Sequence, residues 1–248
     1  MKLPEGILNY EQSYQNLELK FSKKTIKIRK YLTKEIRTFL NATSTVNDDN
    51  VWNYETFKLF KACVHPDDYE TVDSLGKADF LFALSYLRSI SYDPTIARPH
   101  SCPHCSWWID GYTISVIDHI KTEPEVIETE FSYNLENGTI VTFNVLPYMK
   151  ELEIIRDTKE GEYFSAAHNI LINSIDKLII DDVAYEDVDL EDIKQFVDNN
   201  ITPNDYSKVL EFLASKKINF WLQDDKVCPN CKKDYKVVVD EPHFFVQV

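Results

Sequence analysis

A chain of 248 residues with 44% hydrophobic and 13% aromatic content can build a sizeable core, as one domain or two small ones, and is not the composition of a disordered chain. Its net charge of −14, from 27 Lys and Arg against 41 Asp and Glu, argues against the phosphate neutralisation that drives nucleic-acid binding. With only 5 glycines, the chain has neither a glycine-rich phosphate loop nor a dinucleotide fingerprint, both of which need closely spaced glycines.

Residues 1–10 show no basic segment followed by an apolar one, so no secretory signal is read there. The longest apolar stretch, residues 80–87, is too short for a bilayer, so no membrane partner is expected. In a reducing cytosol, five cysteines favour metal ligation over disulfides. Residues 17–21 and 25–31 flank the turn Ser22-Lys23-Lys24 and read as a β-hairpin, followed by helices at 33–41 and 52–64 and a short one at 67–75. Gly76 and Asp79 then open a helix whose Phe80, Leu84 and Leu87 share one face. Cys102-Pro103-His104-Cys105 and a strand at 112–117 follow.

The same order then returns. Residues 127–135 and 139–146 flank Glu136-Asn137-Gly138, and Asn-Gly between alternating strands is a strong hairpin signal. Helices are expected at 147–159, at 163–180 (Phe164, Ala167, Ile170, Leu171, Ile175 and Leu178 at helical spacing) and, acidic, at 189–199. Thr202, Pro203 and Asp205 form a helix start: a cap, a first-turn proline and an acid at the third position. Cys228-Pro229-Asn230-Cys231 and a strand at 235–239 complete the second set. One constant offset carries Asp79 onto Asp205, Leu84 onto Leu210, Leu87 onto Leu213, Ser89 onto Ser215 and Cys105 onto Cys231 without a gap. The expected fold is therefore α+β, an internal duplication of a hairpin–helices–knuckle–strand unit with copies at 1–124 and 125–248.

Structural zinc takes four soft ligands in a tetrahedron, and a Cys-x-x-Cys turn supplies two of them. Cys102, Cys105, Cys228 and Cys231 are therefore the expected ligands of one structural Zn2+ joining the copies. Four thiolates leave no open position for catalysis. A redox pair in either knuckle is the competing reading, though such pairs normally open a helix in a βαβ unit, and a site that has lost its metal is another. His104 inside the first knuckle and His100 just before it could compete as ligands, but His104 matches Asn230 in the second copy and so reads as solvent-facing; His65, His119, His168 and His243 show no partner pattern. Cys63 reads as a buried free thiol. Trp107 and Trp108 are expected to pack over the zinc site rather than to grip a partner, and the acid run from Asp181 to Asp192 reads as a solvated loop and helix cap. No Ser/His/Asp or Cys/His grouping stands out, so no catalytic residue is assigned.

The segment from Ile26 to Glu35 after its hairpin, the stretch Ala78 to Ser91, the two Cys-x-x-Cys motifs and the final Phe244-Phe245 together resemble the baseplate hub proteins of T4-like bacteriophages, in that order along most of the chain. Lys30 stands where that family has proline, and Tyr92-Asp93 where it has a Gly-Glu-like pair. The resemblance implies a non-enzymatic protein of contractile-tail assembly, a hub subunit or hub assembly factor. Its partners would be other tail and baseplate proteins, with oligomerisation inside that assembly, in the host cytoplasm during assembly and in the virion baseplate if retained. The alternative it implies is a chaperone that binds the tape-measure protein and leaves the particle. A zinc-ribbon nucleic-acid-binding protein is supported only by Lys232, Lys233 and Lys236.

Overall fold

The computed structural model describes residues 13–44, 49–97, 99–123, 130–158, 163–216 and 219–240. The expectations for residues 1–10 and 127–129, for His243 and for Phe244-Phe245 lie outside them.

Strands β1 (Gln15–Glu18) and β2 (Thr25–Ile28) pair antiparallel, Leu17 opposite Ile26, with polar and apolar residues alternating along β2. That alternation turns Leu17, Ile26 and Ile28 to one side. Helices α1 (Thr33–Thr43), α2 (Asp49–Ala62), α3 (Tyr69–Asp73) and α4 (Lys77–Ser91) cover that side. Phe57 stacks on Phe80 at 5.0 Å and Phe60 meets the same ring edge-on at 5.4 Å. All three rings are fully buried, each contributing about 1.5–3 kcal/mol.

Short strands surround the first knuckle: β3 (Thr95–Ala97) pairs with β6 (Thr113–Ser115), and β4 (His100–Ser101) with β5 (Trp108–Ile109). Next comes β7 (Ile120–Glu123), then β8 (Glu130–Asn134) and β9 (Ile140–Asn144), paired around Gly138, whose φ of 86° suits the glycine that Asn-Gly turns place there. Helices α5 (Tyr148–Asp157) and α6 (Tyr163–Ser174) follow.

The helix expected over 163–180 stops at Ser174, whose hydroxyl donates to the Ile170 carbonyl at 2.7 Å. Ile175–Ile180 is instead a strand, β10, between β9 and β11 (Val183–Glu186). A register shift between Ile175 and Lys177 explains the misreading. The extra residue puts Ile175 and Leu178 on the same buried side at a spacing of three, which mimics helical periodicity. The start of the acid run is also not a plain loop. Asp181 and Asp182, with φ of 49° and 63°, form the two-residue turn joining β10 to β11.

After α7 (Leu190–Asn200) comes α8 (Pro203–Ser215), capped as expected by Thr202 Oγ1, which accepts from the Asp205 amide at 3.1 Å. Leu135, Val141, Phe143, Leu171, Val197 and Val209 form a second core. The last strands, β12 (Asn219–Val227) and β13 (Asp234–Asp240), pair with each other, and the start of β12 also pairs with β7, giving a sheet ordered β13-β12-β7. Phe220, Leu222 and Val239, with Tyr148 and Leu152 of α5, thereby join the first core. Mixed helix and sheet of this kind is an α+β fold. Among the described residues no helix is long and apolar enough to cross a membrane.

One contact recurs in both halves. The buried Asp79 carboxylate on α4 accepts the backbone N–H groups of Phe21 and Ser22 at 2.9 Å, in the turn of the first hairpin. Asp205 on α8 accepts the Glu136 N–H at 3.2 Å, in the turn of the second. Replacing Asp79 with Ala leaves two turn amides without their acceptor. Urea unfolding of Asp79→Ala should show a loss on the order of 1–3 kcal/mol, and Asp205→Ala a loss of similar size.

Candidate metal centre

Each knuckle is a tight turn built the same way. In the first, the Cys102 amide donates to the Trp107 carbonyl at 2.9 Å and the Ser106 amide to the Cys102 carbonyl at 2.8 Å. In the second, the Cys228 amide donates to the Lys233 carbonyl at 2.9 Å and the Lys232 amide to the Cys228 carbonyl at 3.0 Å. Ser106 and Lys232 occupy the same place in the two turns and both adopt the left-handed region, with φ of 57° and 61°. This αL residue after the second cysteine folds the chain back, so both thiols of a knuckle point inward. Amides then face sulfur: His104 N–H lies 3.4 Å from Cys102 Sγ, Cys231 N–H 3.5 Å from Cys228 Sγ, and Asn230 Nδ2 3.6 Å from Cys105 Sγ.

The two knuckles face each other. Cys102 Sγ lies 3.8 Å from Cys231 Sγ, and Cys105 Sγ lies 3.7 Å from Cys228 Sγ. Exchanging the knuckles turns one contact into the other. All four sulfurs lie within 4.8 Å of one another. A tetrahedral ion with metal–sulfur bonds of about 2.3 Å sets its sulfurs about 3.8 Å apart, so the cluster has the dimensions to hold a metal ion. The electrostatics favour thiolate at two of the sulfurs. The Trp107 N–H and the Asn230 amide lower the Cys105 thiol to about 6, and the amides of Cys231 and Asn230 lower that of Cys228. At Cys231 the Lys233 amide also acts to lower it, but burial and the three neighbouring sulfurs push the thiol up to about 11. A cation at the centre of the four sulfurs would favour the thiolate form.

Around the cluster lies a polar shell that sequence reasoning missed. Tyr235 packs against the sulfurs, and its hydroxyl meets His100 Nε2 at 2.9 Å. The His100 ring stands edge-on to Tyr112 at 5.1 Å. Tyr112 donates to the buried Asp224 carboxylate at 2.7 Å, and Lys226 Nζ lies 2.8 Å from that group. Burial and Asp224 together raise the Tyr112 phenol well above its ordinary value, so its hydroxyl remains a donor. The signal was present: Phe220, Leu222 and Asp224 alternate along β12, and that spacing turns Asp224 to the buried side.

The other singled-out residues fall elsewhere. His104 Nε2 reaches the Asp234 carbonyl at 3.0 Å, away from the sulfurs, in an exposed setting. His65 Nδ1 accepts the Asp67 N–H at 3.3 Å, His168 meets the Tyr206 hydroxyl at 3.1 Å, and His119 lies 3.8 Å from Asp224. Trp107 and Trp108 do not pack over the cluster. Cys102 and Cys228 are already covered by Tyr235 and Val237, and the two indoles are left 52% and 60% exposed. Cys63 is buried in the first core, near the Arg29–Glu35 ion pair.

The family model described as T4 bacteriophage base plate protein matches residues 12–246. No curated protein and no solved structure matches the chain.

Burial first, and then the Glu35 charge, push the Cys63 thiol up to about 12. Iodoacetamide at pH 8 should therefore leave Cys63 unmodified in the folded protein and label it once the chain is unfolded in urea, as read by mass spectrometry of its peptide.

Proposed function

The chain belongs to the T4 bacteriophage base plate protein family, and from that premise we propose that it is a non-enzymatic structural protein of the phage tail, a subunit or assembly factor of the baseplate hub. Its contacts are with other tail proteins. On this reading residues 1–124 and 125–248 are two copies of one unit, held together by a structural zinc ion on Cys102, Cys105, Cys228 and Cys231. The observation that carries the proposal is the four-sulfur cluster, whose cross-knuckle distances of 3.8 and 3.7 Å fit a tetrahedral thiolate site. Zinc is favoured because soft thiolates in a tetrahedron suit it, and because it carries no redox chemistry of its own. When bound, it would supply cross-linking alone, since four thiolates leave no position for substrate. The duplication is supported by the identical knuckle turns, by Ser106 and Lys232 sharing a strained backbone, and by Asp79 and Asp205 each fastening a hairpin turn.

A second reading, a chaperone for the tape-measure protein, rests on one feature. An open cleft of about 730 Å³ lies between the two cores, lined by Leu146, Leu152, Ile155, Ile170, Phe220 and Trp221. A cleft of that kind suits the apolar face of a helical segment.

Native mass spectrometry separates the metal question from the role. One zinc per chain is expected, lost in Cys228→Ser together with a marked fall in thermal stability. Folded, zinc-free protein as the normal state would reject the zinc staple. Quantitative proteomics of purified virions then tests the role: fixed stoichiometry supports a hub subunit, whereas absence from particles supports the assembly factor or chaperone.

A further inference from the structure

Away from both cysteine knuckles, α1, α2 and α4 enclose a pocket of about 420 Å³. Its walls are mainly apolar, with Phe39, Trp52, Leu84 and Leu87 among them. A size of this order and apolar walls with few polar groups are the usual features of a small-ligand site. Among the described residues that line it, one carries a charge: Arg88.

The state of Arg88 makes the pocket more than a packing defect. The residue is 8% exposed. Among the described residues only Nη1 has acceptors, the Asp93 carbonyl at 2.6 Å and the Thr95 carbonyl at 3.4 Å. No carboxylate pairs with it among the described residues. The nearest acid in sequence, Asp93, turns its carboxylate to the Thr95 amide at 2.7 Å and the Thr95 hydroxyl at 2.8 Å. The Asp93 charge still acts on Arg88 from beyond contact distance, but a guanidinium held this deep with no carboxylate in contact is costly, and an anion brought to it gains charge-assisted hydrogen bonds in a low-dielectric setting. Burial already weakens the hold of Arg88 on its proton, which a bound anion would reverse.

We propose that this pocket binds an amphipathic carboxylate, its apolar body filling the chamber between Phe39, Trp52, Leu84 and Leu87 and its anionic head paired with Arg88. A free medium-chain acid and the acid-ended apolar terminus of a neighbouring polypeptide share this chemistry. Trp52 in the wall provides the readout. The full chain is titrated with octanoate and with octanamide, which has the same body without the charge, while tryptophan emission is followed. Trp52→Phe identifies the part of the signal that comes from the pocket. Octanoate is expected to bind about tenfold more tightly than octanamide, the scale of one charge-assisted contact. Arg88→Gln is expected to bring the two affinities together, with circular dichroism confirming the fold. Should that variant fail to fold, the acid–amide comparison on the native chain still decides. Equal affinity for the two probes, no binding of either up to millimolar concentration, or an emission change that survives Trp52→Phe would each overturn the proposal. The tripeptide acetyl-Leu-Leu-Phe with a free terminal carboxylate, set against octanoate, assigns the source: tighter binding of the peptide indicates a polypeptide terminus, and tighter binding of octanoate a free acid.

Discussion

The arrangement of this molecule depends on one strand. β12 pairs along its length with β13, and at its start with β7, which the chain laid down about a hundred residues earlier. Its side chains follow the same division. Phe220 and Leu222 enter the first core, and Asp224, two residues further on the same face, meets Tyr112 at the edge of the sulfur cluster. Cys228 follows directly after the strand. Pairing β12 with β7 therefore does two things at once: it completes the first core with residues from the far half of the chain, and it carries the second knuckle to the first. A register slip of one residue would turn Phe220 and Leu222 out to solvent and move Asp224 away from Tyr112.

This sets the energetic place of the cysteines. Cross-linking segments far apart in sequence removes conformational freedom mainly from the unfolded chain, and the effect grows only slowly with the length of the loop closed. The knuckles are themselves pre-shaped by backbone hydrogen bonds that do not involve sulfur, with Ser106 and Lys232 held in left-handed geometry. Backbone order of this kind lowers the cost of assembling four sulfurs around one point. The surrounding shell of Tyr235, His100, Tyr112 and Asp224 fixes the orientation of the sheet against the first knuckle. Sulfur cluster and sheet register thus depend on the same few residues of β12 and β13.

Much of this was legible in the sequence where local chemistry and long-range packing agree. Asn137-Gly138 forms the expected turn, Thr202 caps α8, and the four cysteines that share a spacing also share a cluster. The failures came where two periodicities coincide or where a signal depends on a distant partner. The bulge in β10 gave Ile175 and Leu178 a helical spacing inside a strand. Asp181-Asp182 is exposed, as a solvated run should be, but the strand pairing that makes it a hairpin turn is not legible in composition. Trp107 and Trp108 were expected to cover the cluster, but β13 supplies the cover, and the strand register that brings Tyr235 there cannot be read from residues near the first knuckle.

Two arginines, Arg29 half-buried and Arg88 buried, show what such long-range closure does to charge. Arg29 lies where β2, α1 and the end of α2 converge. Its guanidinium grips both oxygens of Glu35, at 2.7 and 3.1 Å, and the Ala62 carbonyl at 2.6 Å. Glu35 in turn accepts the Leu32 amide at 2.6 Å, so the carboxylate closes the start of α1 as it neutralises the arginine. Arg88 is the more buried of the two, yet among the described residues its hydrogen-bond acceptors are backbone carbonyls alone, those of Asp93 and Thr95 just after α4. The fold thus holds one cation against a matched acid in contact and the other against carbonyls, with the Asp93 charge further off. That cation sits on the wall of an apolar chamber, where backbone carbonyls and the more distant Asp93 charge offset its desolvation and a carboxylate in contact would complete it.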